Sequence, residues 1–396
     1  MSALGLTAFI VAAPVIAIFA IFINEVILGL FPLGGKHAPG AGQPNIAILI
    51  PAHNEASGIV KMLTSLREVI PASAHILVVA DNCSDDTAIR ARQCGVAVIE
   101  REDQAKRGKG YALDFGRAHL AKSAPECVVI LDADCLPEPG SIENLVDAAM
   151  SSGQPAQSVN LMQPGPVAGP MVEISNFAFL IKNLIRQRGL VRSGGPAILT
   201  GTGMAFPWPI FETILLASAD IVEDLAITVH LTRDGFTPVL VESAHVWSEA
   251  AAPQDTLTQR TRWEHGFIGT AAKHGLPSIA TGMAKRHLAL MRLGLHLLVP
   301  PLAMLFVLGF LVVAVLISLA LAGGSFVPAG ILLATMPLSV VLVAIAWWRD
   351  GRSLLSASAI WRIPFYILWK IPVYLKLAKG AETEWVRTGR QDSSSS

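Results

Sequence analysis

Two carboxylates one residue apart, Asp132 and Asp134, stand near the end of the stretch Val128 to Pro137, VVILDADCLP. Apolar residues followed by Asp-Ala-Asp and a Pro predict a buried strand that runs into a polar edge and stops. Alternate residues of a strand point to one side, so the two acids are expected to converge where the sheet opens to solvent. Such a pair suits a hard divalent cation. Mg²⁺ or Mn²⁺ held by one or two carboxylates keeps positions open for phosphate oxygens. A solvated acidic turn after a strand reads the same way, so the metal assignment needs support from other parts of the chain.

That support comes from further polar residues at comparable places. Glu55 follows the apolar run in Asn45-IAILIPAHNE, and Asp81 follows the run in His75-ILVVADNCSDD. Asp81, Asn82, Ser84 and Asp85 equally suit an Asx-turn or a helix N-cap, with Asp85 or Ser84 as the cap. Glu55 reads equally as a solvated loop acid. Arg107 and Lys109 lie in a Gly-containing loop able to approach a diphosphate, Arg as a two-pronged donor and Lys as a point charge. Solvation alone also accounts for such a loop. Leu199-Thr-Gly-Thr-Gly-Met204 is a turn whose backbone can approach a sugar without Cβ obstruction, or a tight structural turn. Glu223 and Asp224 open an apolar helical pattern, where two acids would also complement the helix dipole.

The elements that must position these groups alternate. Short apolar runs ending in polar tips are followed by helical patterns from about Ser57 to Val69 and after Thr87; a third strand is expected at Val96 to Ile99, before the basic loop Arg101 to Tyr111. This describes a doubly wound α/β sheet whose ligands bind at the strand C-termini. No G-x-G-x-x-G follows the first strand, so the dinucleotide-binding fingerprint is absent.

In order, Pro51-Ala-His-Asn-Glu55, Val79-Ala-Asp-Asn-Cys-Ser-Asp85, Arg107-Gly-Lys-Gly110 and Asp132-Ala-Asp134 resemble the nucleotide-sugar half of the family 2 glycosyltransferases. Gly201-Thr-Gly203, Val222-Glu-Asp224 and Gln259-Arg-Thr-Arg-Trp263 resemble the acceptor half of its membrane-embedded, polysaccharide-synthase-like branch. The resemblance implies a GT-A type, Rossmann-like α/β domain with transmembrane helices, a UDP-sugar donor and a Mg²⁺ or Mn²⁺ cofactor. By the same resemblance Pro51, His53, Glu55 and Asp81 bind the substrate, Glu55 facing the nucleoside and Asp81 accepting the proton of uracil N3. Lys109 contacts the diphosphate, Asp132 lies near ribose and metal, and Asp134 ligates the cation. Gly201 and Glu223 belong to the acceptor side, and Asp224 is the base that deprotonates the acceptor hydroxyl. Val222 departs from the family's usual Thr, which leaves the acids in place.

A base on one face of the sugar and a departing UDP on the other imply a single displacement with inversion. Gln259, Arg262 and Trp263 are expected on a helix at a membrane surface, Trp263 offering a flat face to a sugar and Arg262 reaching the diphosphate. Without the other motifs they would read as an interfacial Trp and a snorkelling Arg. His245, a lone His after a strand, is left out of the expected metal shell.

Composition places part of the chain in lipid. Of 396 residues, 52% are hydrophobic and 15% charged, against about 25% charged in ordinary soluble domains. Mean hydropathy is +0.53. Lys plus Arg equals Asp plus Glu at 30 each, and no basic run with interleaved aromatics points to nucleic acid. Cys83, Cys94, Cys127 and Cys135 lack zinc-site spacing and are expected to be reduced thiols.

The expected organisation is an uncleaved transmembrane anchor at 1–33, a Gly/Pro-rich linker at 34–44, a cytoplasmic transferase domain at 45–282, a membrane region at 283–378 and a cytoplasmic tail at 379–396. The membrane region should hold two spans, about Leu293 to Leu321 and Val327 to Trp348, followed by one or two surface-lying segments or a third span. Lys285, Arg286, Arg292, Arg349 and Arg352 flank the pair on one side, which sets its ends in the cytoplasm of an inner membrane. The expected function is transfer of a hexosyl unit from a UDP-sugar to a lipid-linked oligosaccharide or exopolysaccharide chain, with a ceramide- or hopanoid-type membrane lipid as the alternative acceptor. A non-enzymatic nucleotide-sugar-binding regulator is the reading from another class.

Overall fold

The computed structural model describes residues 2–34, 44–163, 169–217, 223–248 and 253–378, the side chains of 253–260 and 376–378 excepted. Residues 35–43 of the expected linker, Val222, the side chain of Gln259 and the C-terminal tail lie outside the described residues. The chain divides into two units, one of Leu33–Gly165 with Pro196–Gly266, the other of Met1–Pro32, Pro166–Gly195 and Phe267–Glu382. The stretch 45–282 expected as one domain is therefore shared between two bodies.

The first unit is built on eight strands: β1 Ile46–Ala52, β2 His75–Asp81, β3 Ala97–Arg101, β4 Cys127–Ile130, β5 Cys135–Pro137, β6 Ala156–Met162, β7 Met204–Pro207 and β8 Val239–Ser248. Their order across the sheet is β3-β2-β1-β4-β7-β6-β8-β5. β1, β2, β3 and β4 run parallel, β7 pairs antiparallel with β4 and β6, and β8 pairs parallel with β6 and antiparallel with β5. Sequential strands leave β1 in opposite directions, to β2 on one side and β4 on the other, which opens a crevice at their C-terminal ends.

Both faces of the sheet are covered, which is why the central strands read as unbroken apolar runs. Ile48, Ile50 and Val129 pack on one side with Leu63, Leu66, Ile142 and Leu145, from the helices Ile59–Val69 and Ser141–Ser152. Leu49, Val79 and Ile130 pack on the other with Leu113, Ile227 and Leu231, from Lys109–Leu120 and Glu223–Arg233.

Three local expectations change. β4 ends at Ile130 and residues 131–134 leave the strand, so a turn closed by Cys135 N–H donating to Asp132 O at 3.1 Å, and not strand alternation, brings the two acids together. β3 continues through Glu100 to Arg101 because that register pairs Asp81 with Arg101. The span expected from Leu293 is split: a helix ends at Leu297 and the next runs Leu302–Leu321, since Pro300 and Pro301 lack the N–H groups a continuous helix needs there.

In the second unit, Ala3–Gly29, Leu302–Leu321 and Val327–Gly351 are long and apolar enough to cross a membrane. After them come two shorter helices, Ala357–Ile360 and Ile363–Ala378. An excursion between β6 and β7, with no counterpart in the sequence reading, adds Pro170–Leu180, a π-helical turn Ile181–Arg186 and Gln187–Arg192. There Arg186 Nε donates to Glu25 Oε2 at 2.7 Å, and His296 Nδ1 lies 2.9 Å from Glu25 Oε1, all three side chains being buried.

Candidate active site

The C-terminal ends of β1 and β2 are knitted into one edge. His53 Nδ1 lies 2.7 Å from Asp81 O, Ser84 N–H donates to Asn54 Oδ1 at 2.7 Å, and Glu55 N–H donates to Thr87 Oγ1 at 2.7 Å. Asp85 accepts from Thr87 N–H at 3.0 Å and from Ala56 N–H at 3.1 Å, so the turn-stabilising role in D-N-C-S-D falls to Asp85. Asp81 is left for other partners. Its carboxylate is buried and accepts from Arg101 at 2.6 Å.

One lysine gathers the remaining acids. Lys109, the first residue of its helix, donates through Nζ to Asp132 Oδ1 and, at 2.7 Å, to Gly201 O. The next residue, Gly110, donates its N–H to Glu223 Oε2 at 3.1 Å, as unpaired amides at a helix N-terminus do. Gly201 has φ +85°, and a Cβ built there would lie 3.3 Å from both Lys109 Nζ and Asp224 Oδ2. The glycine turn is fastened from three sides: Thr202 Oγ1 accepts from Asp132 N–H at 3.1 Å, Gln157 Oε1 from Thr200 N–H at 2.9 Å, and Thr228 Oγ1 from Leu199 N–H at 3.0 Å.

Acids so close together shift their protonation. Burial first, then the charge of Asp132, pushes the Asp134 carboxyl up to about 6. Burial also pushes Glu223 up to about 8, with Asp224 and Asp132 adding to the rise and Lys109 opposing it. Burial alone would lower the pKa of Lys109, but Asp132, followed by Glu223, outweighs it and raises it, so the ammonium stays charged.

Asp132, Asp134 and Cys135 place ligand atoms all within 4.8 Å of one another, the described residues' one group able to hold a metal ion. Cys135 Sγ lies 3.4 Å from Asp134 Oδ1 and 3.2 Å from Ser248 Oγ, which donates to Asn160 Oδ1 at 3.0 Å. Burial, then Asp134, holds that thiol well above its ordinary pKa. His245 Nδ1 faces Glu138 at 3.7 Å, outside this group. All four cysteines are free.

Lys109, Asp132, Asp134, Gly201, Glu223 and Asp224 are thus assembled from segments scattered along the chain. Asp81, His53 and Glu55 line the adjoining edge, and Pro51 lies within β1, half-buried. Arg262 and Trp263 sit on the helix Pro253–Ala284, where burial lowers the pKa of Arg262. Arg107 is exposed. Sequence reasoning missed Arg101, Thr202 and Cys135. Only the adjacency of Cys135 to the acid pair could have marked it.

Residues 44–266 match the family described as "Glycosyltransferase like family 2". The chain belongs to glycosyltransferase family 2. It is 26% identical over 236 residues to the probable glycosyltransferase YdaM of Bacillus subtilis, covering 56% of this chain and 55% of that protein. It is 33% identical over 110 residues to glucosyl-3-phosphoglycerate synthase of Mycobacterium tuberculosis, covering 26% of this chain and 33% of that one. The chain thus spans about half or less of the curated relatives it matches. Among solved structures, a mannosyltransferase from Pyrobaculum calidifontis, in complex with GDP-Man and Mn²⁺, aligns over 91% of this chain and 99% of its own with TM-score 0.58 and 20% identity. The family 2 chain therefore has the GT-A-like α/β fold with a curled mixed sheet.

Proposed function

We propose that this protein is an inverting glycosyltransferase that moves a hexosyl unit from a UDP-sugar to a membrane-associated acceptor. The observation that carries the reading is the common environment of Asp224 and the acid pair: Lys109 bonds Asp132 and Gly201 O, and Gly201 in turn faces Asp224 Oδ2. A family 2 transferase needs a proton acceptor for the attacking hydroxyl and a held diphosphate within one sugar's reach, and this cluster supplies groups for both.

The donor set fits Mg²⁺ or Mn²⁺. Two carboxylates with adjacent ligand atoms suit a hard cation, and burial together with the neighbouring Asp132 charge raises the proton affinity of Asp134, a strain that a bound positive charge would relieve. Asp134, with Asp132 beside it, would hold the ion, which when bound offsets the negative charge of the departing diphosphate. Lys109 adds a second fixed positive charge at the same place. Asp224 accepts the acceptor hydroxyl's proton, and its position at a helix start, with Leu225 N–H donating to Oδ1 at 2.8 Å, orients the carboxylate. Glu223, raised to about 8, stays protonated at neutral pH and adds no charge beside the base. Gly201 leaves open the space a Cβ would take beside Lys109 and Asp224. Gln259, Arg262 and Trp263 are assigned to the sugar and diphosphate on the strength of the motif.

The three apolar helices support an integral membrane protein of the synthase-like branch, and the basic residues flanking Leu302–Gly351 support cytoplasmic ends in the inner membrane. Three such helices among the described residues favour single additions to a lipid-linked oligosaccharide or growing exopolysaccharide, or to a membrane lipid, over processive export. UDP release should be measured for the purified protein over a panel of UDP-sugars with wild type and Asp224→Asn. Turnover should fall by about 10²–10⁴-fold in the variant, with UDP binding kept. Full turnover in Asp224→Asn would remove it as the base, and no release with any UDP-sugar would favour a binding regulator.

A further inference from the structure

We infer that Arg101 and Asn82 set the choice of nucleobase: they occupy one oxygen of Asp81 and leave the other for a ring with a single N–H, uracil or thymine, against guanine. The inference rests on Asp81 reading the base, as proposed above. Arg101 Nη1 donates to Asp81 Oδ1 at 2.6 Å, and Asn82 Nδ2 donates to the same oxygen at 3.1 Å. A carboxylate oxygen has two lone pairs, and both of those on Oδ1 are taken. Among the described residues no hydrogen bond to the Asp81 side chain falls on Oδ2.

The two donors are themselves held in place. Arg101 pairs with Asp81 in the β2–β3 register, its Nη2 donates to Asp103 Oδ2 at 3.2 Å, and its guanidinium lies 5.6 Å from the centre of the Tyr111 ring. Asn82, at φ 49°, donates its N–H to Arg101 O at 2.7 Å and accepts from Asp103 N–H at 2.8 Å and Gln104 Nε2 at 3.3 Å. This ring of bonds, with Asp81 and Arg101 both about nine-tenths buried, gives the carboxylate little freedom to turn.

Guanine presents N1–H and the N2 amino group side by side and is met best by both oxygens of a carboxylate. With Oδ1 saturated, one of those donors would be enclosed without a partner, which sites built on hydrogen bonds reject strongly. Cytosine turns a ring-nitrogen acceptor toward the anion and is repelled. The N3–H of uracil or thymine, alone between two carbonyls, matches the one acceptor offered.

Calorimetric affinities of the detergent-purified full chain for UDP, CDP and GDP, at fixed Mn²⁺, test this. Wild type should bind UDP at least about tenfold tighter than either rival, the worth of one charge-assisted hydrogen bond. Arg101→Met should weaken UDP and narrow the UDP/GDP ratio, whereas Arg101→Lys, which keeps one donor, should retain most of the preference. Equal UDP and GDP affinity in wild type, or an unchanged ratio in a folded Arg101→Met, overturns the inference. Should Arg101→Met fail to fold by circular dichroism, wild type and Arg101→Lys decide, and loss of preference in Arg101→Lys counts against it. Asp81→Asn separates the layers: UDP affinity untouched there means that Asp81 does not read the base, and the underlying reading fails instead.

Discussion

At the scale of single residues, the site is a contest between four clustered acids and one lysine. Glu223 shows its cost. Its carboxyl titrates near 8 in the folded protein against an ordinary 4.5, so the folded state holds a proton that the unfolded chain has released. Stability from that group is full below about 4.5 and is lost as pH rises through about 8. Thermal unfolding of chelator-treated protein should therefore show Tm falling from pH 5 to 9, with a shallower fall in Glu223→Gln; equal slopes would count against a buried, protonated Glu223. Asp134 makes the complementary prediction. With its carboxyl near 6, protons compete with the cation below that pH, and Mn²⁺ affinity followed by electron paramagnetic resonance should weaken by up to about tenfold per unit of acidification. Flat affinity from pH 7 to 5 would mean that Asp134 is not a ligand.

At the scale of elements, the glycine turn 199–203 carries the geometry. Gly203 has φ +61°, and a Cβ there would overlap Ser158 Oγ. Gly203→Ala is expected to cost about 2 kcal/mol or more, combining left-handed backbone strain with overpacking. Gly201→Ala meets its nearest atoms at 3.3 Å, so it should spare Tm more than turnover; denaturant unfolding beside UDP release would reveal the reverse order if this is mistaken. How much of this was legible follows from where the signal lay. β1, β2 and β4 announced themselves as continuous apolar runs because both faces are buried, and their polar tips pointed to the site edge. The end of β3 was not legible, since Glu100-Arg101 reads as loop until the register sets Arg101 beside Asp81. Strand alternation predicts the pairing of Asp132 and Asp134, but a turn and not a strand converges them. The convergence of residues 109, 132, 201 and 224 came from motif order alone, because distances between remote segments leave no periodic trace.

At the scale of the whole molecule, one unit is assembled from three stretches far apart in sequence, and a single buried cluster takes one residue from each. Glu25 lies in the N-terminal helix, Arg186 in the π-helical turn of the excursion between β6 and β7, and His296 in the helix Leu288–Leu297. Backbones approach closely beside it: a Cβ on Gly189 would overlap Glu25 O, and one on Gly29 would overlap Ile185 O. In the sequence Glu25 stands next to Asn24 in an otherwise apolar run, and its partner Arg186 sits over 160 residues away, so nothing local marks the pair. Charges this buried are retained only when paired, so removing one partner should cost about 3–5 kcal/mol. Glu25→Ala and Arg186→Ala should each lower Tm of the detergent-solubilised protein markedly, while the double variant should lose clearly less than the sum, a coupling of about 1 kcal/mol or more. Strict additivity would show that the N-terminal helix and the excursion are held by apolar packing alone, and that the ion cluster contributes nothing to joining the three stretches.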